Sequence, residues 1–484
     1  MLSSSLLRFP LWSIIPLILV YIVLGLTVYQ ADIVHQSAIV TLGVFLTATW
    51  LWVCTKIDET YIAVLAVFVL VISGNLAEAE LYLSWGQDII WLLISAFVIA
   101  AGVVKTGIAT YCSSMLLKYA HTPRMLCYIL TLLIVFSAFI IPSTSGRAAI
   151  ILPIFLALVA ILNHNTRLTK ALALLCPSII LLSAVGSYFG AGAHLITNQI
   201  LSDQGYQDFS LLKWLWLGLP FALVSSLACT ELILRLFTKP EDRAMSLNLL
   251  SLVSLQDHST YQKAKLSSEQ KRVLVILCLI LCLWLSEPWH HLSATVVAIL
   301  GALLMTTPSL GCIKFSHAIK TVPWSLLIFM AATLTMGAAL IQSGAIAWFT
   351  QSLFSQIDVT HQMASMIFIS VMILLSLLAH LFIQSRSARS VVLIPIAVSL
   401  APQFSVSPVA IAFISTAAAG FCHSLTSSAK PIAIFHQTET QNMFNPEDLL
   451  KLSFYLAPIM FVLLFIFTFY IWPLMGMPIW ILPK

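Results

Sequence analysis

Two stretches of this sequence align with each other without gaps: STSGRAAIILPI at residues 143–154 and SRSARSVVLIPI at residues 385–396. Each begins with the pattern Ser-x-Ser, continues through an arginine and leads into an apolar run that contains Pro-Ile. The two copies lie half a chain length apart, and this spacing indicates an internal duplication. A fainter match, Lys-Thr-Gly at 105–107 with Gln-Ser-Gly at 342–344, precedes the two copies.

The composition around the two copies is that of an integral membrane protein. Hydrophobic residues make up 60% of the 484 residues, charged residues only 8%, and the mean hydropathy is +1.01. Soluble domains carry about 25% charged residues, so a soluble enzyme is excluded. The net charge of +5 therefore bears on how the chain is oriented in the membrane, and it does not indicate nucleic-acid binding. The nine cysteines lie in apolar stretches, and we interpret them as buried small residues rather than disulfides or metal ligands.

Apolar runs close to the ~20 residues that cross a bilayer recur along the chain. They predict about eleven transmembrane helices, at approximately 11–30, 37–54, 60–75, 89–104, 170–190, 211–236, 271–286, 292–306, 323–341, 407–423 and 450–475. Two further apolar stretches, about 125–162 and 362–402, are too long for one crossing, and the duplicated copies interrupt both near the middle. We predict that each forms a re-entrant helical hairpin with the duplicated copy at its tip.

The lysine and arginine residues predict the orientation of these helices. With a cytoplasmic N-terminus, most basic residues between the runs fall on the cytoplasmic side, as the positive-inside rule requires. The polar segment 239–270 then becomes a cytoplasmic linker. It separates an N-terminal helix at 1–36 and a first repeat at 37–238 from a second repeat at 271–484. An odd number of crossings in each repeat inverts the second relative to the first, which is an architecture of secondary transporters.

The chemistry of the hairpin tips indicates an anion site. A Ser or Thr before a resumed helix caps it and leaves free backbone N–H groups and the positive helix end at the break. Arginine adds a guanidinium fork that matches carboxylate, sulfate or phosphate oxygens. The alternative, in which the arginines snorkel or neutralise a carboxylate, is disfavoured because Glu231 is the only acid well inside an apolar run. The candidate substrate-binding residues at the tips are Ser143, Thr144, Ser145, Arg147, Ser385, Arg386, Ser387 and Arg389.

A helix interrupted by small and polar residues follows each hairpin. The first repeat has GSYFGAGAHLITN at residues 186–198, and the second has GFCHSLTSSAKP at residues 420–431. Unwound carbonyls and hydroxyls in these segments are expected to close the anion site opposite the tips. For the histidines, hydrogen-bonded packing is the alternative. The candidate substrate-binding residues in these segments are His194, Thr197, Asn198, His423, Ser427, Ser428 and Lys430.

The predicted fold class is an all-α polytopic membrane protein with about 11 transmembrane helices in two inverted repeats, each with a re-entrant hairpin and a broken helix. This arrangement resembles the divalent anion:sodium symporter family of the ion transporter superfamily. The tip motifs correspond to that family's paired Ser-Asn-Thr signatures, and segment 91–107, the hairpins and the broken helices follow in the family order. The resemblance implies eleven crossings, a homodimer formed by scaffold helices, and elevator-type transport of dicarboxylates, citrate or sulfate.

The chain departs from that family's pattern at positions that concern sodium. Residues 143–145 and 385–387 stand where the two signatures would be, but neither contains Asn, and the family's Gly-Thr-x-x-Asn-like elements are only loosely matched. Arg147 falls where some sodium-independent exchangers that resemble this family also carry arginine, and Arg389 repeats it. A guanidinium a few ångströms from a bound cation repels it by several kcal/mol at an effective dielectric near ~20. Sodium coupling is therefore disfavoured, and no other metal or cofactor is expected.

The sequence thus predicts a secondary active transporter of small anions of the di- or tricarboxylate or sulfate type, working by sodium-independent exchange or coupled to protons. Titration of His194 or His423 is the predicted route for proton coupling. The expected location is a bacterial inner membrane, with the N-terminus in the cytoplasm. The expected partners are the anion, the lipid bilayer and a second copy of the chain, and no nucleic acid is expected.

Four alternatives remain at this point. A sodium-coupled dicarboxylate or sulfate symporter has the same fold. A cation or arsenite antiporter of the same superfamily would need intramembrane acids that the sequence lacks, and a channel would need a continuous path past the hairpins. An intramembrane hydrolase or acyltransferase would use Ser145 or Ser424 with His194 or His423. Since the sequence has neither a Gly-x-Ser-Gly type turn nor a His and acid pair, we predict a transporter and not an enzyme.

Overall fold

The part of the chain that the structure describes is nearly all helical. The computed structural model describes residues 33–55, 57–108, 119–162, 165–247, 266–345, 348, 362–426, 428–436 and 442–481. In the first half these residues form α1 (Ile33–Cys54), α2 (Glu59–Ile72), α3 (Asp88–Thr106), α4 (Pro123–Ser137), α5 (Thr144–Leu162), α6 (Thr166–Leu182), α7 (Gly192–Asp203) and α8 (Leu211–Phe237). In the second half they form α9 (Ser268–Leu285), α10 (Ala294–Thr306), α11 (Trp324–Gln342), α12 (Gln362–Leu378), α13 (Arg386–Leu400), α14 (Pro408–Ala418), α15 (Lys430–His436) and α16 (Pro446–Ile466).

Short helical turns fill several of the connections. They span Glu78–Leu83, Pro240–Ala244, Glu287–His290, Phe315–Ala318 and Trp472–Leu474. The described residues contain no β-strand beyond a single antiparallel bridge between Val406 and Trp480. The fold is therefore all-α, as predicted from the sequence.

The packing of the two halves is reciprocal. Helix α2 packs on α11, and its counterpart α10 packs on α3. In the same way α5 packs on α15, and its counterpart α13 packs on α7. The first arm of the first broken helix, α6, packs on α5 and on α15. Its counterpart α14 packs on α13 and on α7. Elements of one half thus complete the surroundings of the other half around the two hairpins.

Glycines end the two equivalent helices α3 and α11. Gly107 follows α3 with φ 64°, and Gly344 follows the last residues of α11 with φ 69°. Both values lie in the left-handed region, which glycine enters without the steric penalty that a Cβ imposes. This shared helix end explains the fainter sequence match at 105–107 and 342–344.

Each hairpin has a break where the duplicated copy begins. Residues 138–143 separate α4 from α5, and a 3₁₀ turn at Ala379–Leu381 with the residues up to 385 separates α12 from α13. Ser143 Oγ accepts from the Gly146 N–H at 3.3 Å, and Ser385 Oγ accepts from the Ala388 N–H at 3.3 Å. The prediction that these serines cap the resumed helices is confirmed.

Both interrupted helices are observed as well. A 3₁₀ turn at Ser183–Gly186 and the irregular residues up to 191 separate α6 from α7, and residues 419–429 separate α14 from α15. The span Thr166–Gly186 is almost wholly buried, whereas only 28% of the span Pro446–Leu474 is buried. The first broken helix therefore lies at the core of the molecule, and the last long helix lies at its surface.

Eight helices within the described residues are long and apolar enough to cross a membrane. Ten of the eleven apolar runs predicted from the sequence coincide with described helices, and the run at 11–30 lies outside the described residues. The total of eleven crossings stays a prediction. The interpretation of the cysteines as buried is wrong for Cys278 and Cys282, which are exposed one turn apart on the apolar α9.

Candidate functional site

The tips of the two hairpins are only partly buried and meet elements of the opposite half. Residues 143–146 and 385–387 are all of intermediate exposure. The Ser387 hydroxyl lies beside the start of α7, so that a Cβ added to Gly192 would come within 3.2 Å of Ser387 Oγ. The second hairpin thus reaches the N-terminal end of α7, which is the second arm of the broken helix in the first half. Free N–H groups at such a helix end favour anions.

Arg147 is fully buried behind the first tip and is held by backbone carbonyls. Its Nη2 donates to the Ile180 carbonyl oxygen at 2.6 Å, and its Nη1 donates to Ser183 Oγ at 3.0 Å and to the Ile134 carbonyl at 3.5 Å. Ile180 and Ser183 stand at the C-terminal end of α6, where carbonyls lack helical partners and the helix dipole is negative. Arg147 therefore caps the end of the first broken helix.

Arg386, at the second tip, joins the ends of both broken helices. Its Nη2 donates to the Leu181 carbonyl of α6 at 3.1 Å and to the Gly420 carbonyl just beyond α14 at 3.3 Å. Arginines from opposite halves therefore converge on neighbouring carbonyls of α6, those of Ile180 and Leu181. This convergence concentrates positive charge at the centre of the molecule.

Arg389 has a different environment from Arg147, although the duplication aligns the two residues. It is 1% exposed, and its Nη2 donates to Cys422 Sγ at 2.8 Å. Its Nε and Nη1 have no hydrogen-bond partner among the described residues. A buried guanidinium with two free nitrogens is expensive unless a partner arrives. Arg389 is thus the side chain at the tips that most clearly lacks an acceptor.

No acid neutralises the three arginines within the described part of the chain. Its ion pairs join Arg124 and Arg235 to Glu231, Arg167 to Asp242, and Lys170 to Asp448. Glu231, the one acid that the sequence places inside an apolar run, also accepts from the Tyr128 hydroxyl at 2.9 Å. Since Glu231 is occupied elsewhere, the hairpin arginines form a site of uncompensated positive charge.

The two predicted histidines are completely buried beside the breaks. His194 Nδ1 lies 3.0 Å from the Ser187 carbonyl, and its ring packs against Trp214. His423 Nδ1 accepts from the Cys422 N–H at 3.2 Å. The Nε2 atom of each ring has no partner among the described residues. Because a carbonyl only accepts, the neutral His194 ring carries its proton on Nδ1 and its Nε2 is a free acceptor, whereas the neutral His423 ring carries its proton on Nε2, which is a free donor.

The other predicted residues of the broken helices take part mainly in internal contacts. Thr197 and Thr416 share a hydrogen bond of 2.6 Å between the two halves. The Asn198 amide accepts from the Phe209 N–H at 2.6 Å and donates to the Phe209 carbonyl at 3.2 Å. Ser428 is buried and accepts from the Leu425 N–H, whereas Lys430 is exposed at the start of α15. Ser427 lies outside the described residues.

The structure adds residues that the sequence analysis missed. His380 is buried in the second hairpin, with Nδ1 2.7 Å from the Leu377 carbonyl and Nε2 2.8 Å from Ser424 Oγ, and Ser424 in turn lies 2.9 Å from Ser453 Oγ. Because a carbonyl only accepts, Nδ1 carries the proton and Ser424 donates to Nε2. The only signal of His380 in the sequence is a difference between the halves, because Ala138 stands at the position that aligns with it.

Comparison with known proteins places these features in a family. A family model described as "Citrate transporter" (CitMHS) matches residues 49–418, which is most of the chain. A sodium-dependent dicarboxylate transporter SdcS of Staphylococcus saprophyticus is 23% identical over 86% of this chain and 83% of its own length. A membrane protein of Cupriavidus necator is 22% identical over 64% of this chain, and the match spans only 60% of that relative.

Solved structures with the same fold are also transporters. The Alcanivorax borkumensis YdaH transporter superposes with a TM-score of 0.52 at 11% identity, covering 91% of this chain and 99% of that one. The Neisseria gonorrhoeae MtrF structure, described as one of a class of antimetabolite efflux pumps, gives a TM-score of 0.50 at 11% identity and covers 85% of this chain and 86% of its own. At this identity the likeness concerns the fold alone.

Proposed function

Because the chain belongs to the citrate transporter family, within the ion transporter superfamily, we propose that it is a secondary transporter of small anions of the di- or tricarboxylate or sulfate type. The observation that carries this proposal is the cluster of Arg147, Arg386 and Arg389 at the hairpins without an acidic partner in the described structure. The chain is an integral membrane protein and not an enzyme, so the hydrolase alternative is abandoned.

The substrate site proposed here lies between the second hairpin tip and the ends of the broken helices. Arg389 offers Nε and Nη1, and Arg386, a residue of intermediate exposure, adds a second guanidinium. The proposed hydroxyl donors to the same anion are Ser387, which lies beside the start of α7, and Ser143, Thr144, Ser145 and Ser385. Direct contact between Arg147 and the substrate stays a prediction, since only its Nε is free of a partner.

The proposed transport mechanism is an elevator motion of the hairpins and broken helices against a scaffold. The reciprocal packing of corresponding helices supports two repeats related by a two-fold axis, which is the basis of alternating access in inverted-repeat transporters. We further propose the boundaries of the repeats as 37–238 and 271–484, a homodimer, and a bacterial inner-membrane location with the N-terminus in the cytoplasm.

The coupling proposed is exchange of anions, or symport with protons, without sodium. The arginines provide fixed positive charge at the place where a bound cation would otherwise assist the substrate, and like charges at that distance repel by several kcal/mol at an effective dielectric of ~20. The second candidate is sodium-coupled symport, which the printed names of several relatives favour. Histidines with a free Nε2, His194 and His423, are the proposed proton carriers.

The test is counterflow in proteoliposomes. Vesicles preloaded with unlabelled citrate, succinate or sulfate are given the labelled anion in sodium or in choline medium, with and without a pH gradient. We expect uptake in choline that depends on internal anion or on the pH gradient. Uptake that requires sodium would establish the symporter instead, and absence of uptake of any anion under all of these conditions would refute anion transport.

A further inference from the structure

Cys422 lies in an unusual place for a buried thiol. It is 1% exposed in the break between α14 and α15, and its sulfur accepts a hydrogen bond from Arg389 Nη2 at 2.8 Å. A cationic side chain of the proposed substrate site thus donates to this buried sulfur.

A second observation is that the hydrogen-bonding capacity of Arg389 is not filled by this sulfur. Arg389 is 1% exposed and keeps Nε and Nη1 without any partner among the described residues. A neutral sulfur is a weak hydrogen-bond acceptor, whereas a carboxylate or sulfate oxygen makes charge-assisted bonds that are roughly twice as strong as neutral ones. An anion that reaches Arg389 therefore competes favourably with Cys422 for the guanidinium.

We propose that Cys422 is a thiol modification site within the anion site: it occupies Arg389 when the site is empty, bound substrate shields it, and covalent addition to its sulfur prevents anion binding. This inference rests on the proposed function, because it concerns the same site. Addition to a thiol requires a sulfur with a free electron pair as the nucleophile. Any group added to the sulfur also fills the space directly in front of the guanidinium.

The reaction used as a probe is addition to a maleimide. The sulfur electron pair attacks one alkene carbon, an S–C bond forms, the C=C π bond breaks, and the proton lost from the thiol is replaced by one on the neighbouring carbon. The addition needs no oxidant and releases no leaving group.

Cys176 supplies the matched control. It is equally buried, on α6, but it accepts no arginine hydrogen bond in the described structure. A difference in reactivity between Cys422 and Cys176 therefore reports the cationic surroundings and the opening of the site rather than burial alone.

The experiment is a time course of N-ethylmaleimide labelling of the purified full-length protein, followed by peptide mass spectrometry, with and without citrate or succinate. We expect Cys422 to react about 10-fold faster than Cys176, and the anion to slow only the reaction at Cys422. Equal rates at the two cysteines, or labelling of Cys422 that no transported anion slows, would overturn the proposal.

Transport after the same treatment gives an independent result. Wild type and Cys176→Ser are expected to lose most of their uptake, while Cys422→Ser keeps most of its own untreated uptake. Equal inhibition of Cys422→Ser would overturn the proposal, and if that variant does not fold, the labelling rates of the wild type decide. Failure of the untreated wild type to transport any anion counts against the proposed function, whereas transport by a protein with an unreactive Cys422 counts against the thiol site alone.

Discussion

The two hairpins share a sequence motif and a serine cap at the resumed helix, but their arginines have different electrostatic surroundings. Arg147 donates to three acceptors at the ends of α4 and α6, whereas Arg389 donates to one sulfur and leaves two nitrogens free. The cause lies in the break of the helix that each arginine faces. The first break begins with a 3₁₀ turn that presents the Ser183 hydroxyl, whereas the second break presents Cys422. Of the two arginines that align in the sequence, Arg147 thus makes structural contacts, whereas Arg389 keeps two nitrogens without a partner in the described structure.

The first broken helix is also anchored at its start. Asn165 caps α6 and donates to Asp242, Arg167 forms an ion pair with Asp242, and Lys170 forms an ion pair with Asp448 of α16. The corresponding helix α14 begins with a Ser407 cap and Pro408. The start of α6 is thus held by two ion pairs, whereas the start of α14 has none within the described structure.

The largest expected effect is a loss of stability on Arg147→Met. Removal of the guanidinium leaves the Ile180 carbonyl and the Ser183 hydroxyl without their charged donor, and unsatisfied buried groups cost about 1–3 kcal/mol each. We expect the free energy of unfolding in detergent to fall by about 2–3 kcal/mol, measured as a lower melting temperature in the absence of anion.

The matched control is Arg389→Met. It removes a buried charge that has one weak partner, and such removals are often neutral or stabilising. We expect the melting temperature without anion to stay the same or to rise. A larger loss of stability in Arg389→Met than in Arg147→Met would reverse the comparison between the two hairpins.

The second effect is on binding. Arg389→Gln loses a charge-assisted contact worth about 1.5–3 kcal/mol, so we expect the concentration of anion that stabilises the protein to rise about 10- to 100-fold. Arg389→Lys keeps the charge without the fork and should recover only part of the affinity. Melting curves at increasing citrate or succinate measure both. If Arg147→Lys weakened anion binding as much as Arg389→Lys does, both arginines would be shown to contact the substrate.

The positions of the helices could be predicted from the sequence because they depend on local properties. Hydropathy located ten runs that coincide with described helices, and Ser143 and Ser385 were recognisable as caps from their place before an apolar run. These features depend on a few consecutive residues, and the serine caps are easier to recognise because the same pattern appears twice in the sequence. The same reasoning explains why Gly107 and Gly344 match in sequence and in backbone conformation.

The partners of the polar residues could not be predicted in the same way. The bonds of Arg386 reach Leu181 and Gly420, which are far from it in sequence, and Asn198 gives its amide to the backbone of Phe209. Whether a buried polar residue has a free atom depends on which carbonyls an unwound helix end presents. His380 could not be predicted from the duplication, because the aligned position in the first half is Ala138.

The smallest expected effect concerns the anchoring of α6 through Asp242. The Lys239 N–H and the Asn165 amide hold the pKa of the Asp242 carboxyl below its ordinary value, and Arg167 adds to this. A carboxylate with a lowered pKa stabilises the folded protein above the ordinary range near 3.8 and loses that contribution as the pH falls through the lower folded value. We therefore expect Asp242→Asn to lower the melting temperature slightly at pH 6 and to match the wild type in strong acid. Glu241→Gln, a change at the neighbouring exposed acid, is the matched control. If Asp242→Asn and wild type melted alike at pH 6, the ion pair would contribute nothing to anchoring, and α6 would be held by Arg147 and by the Lys170 pair with Asp448.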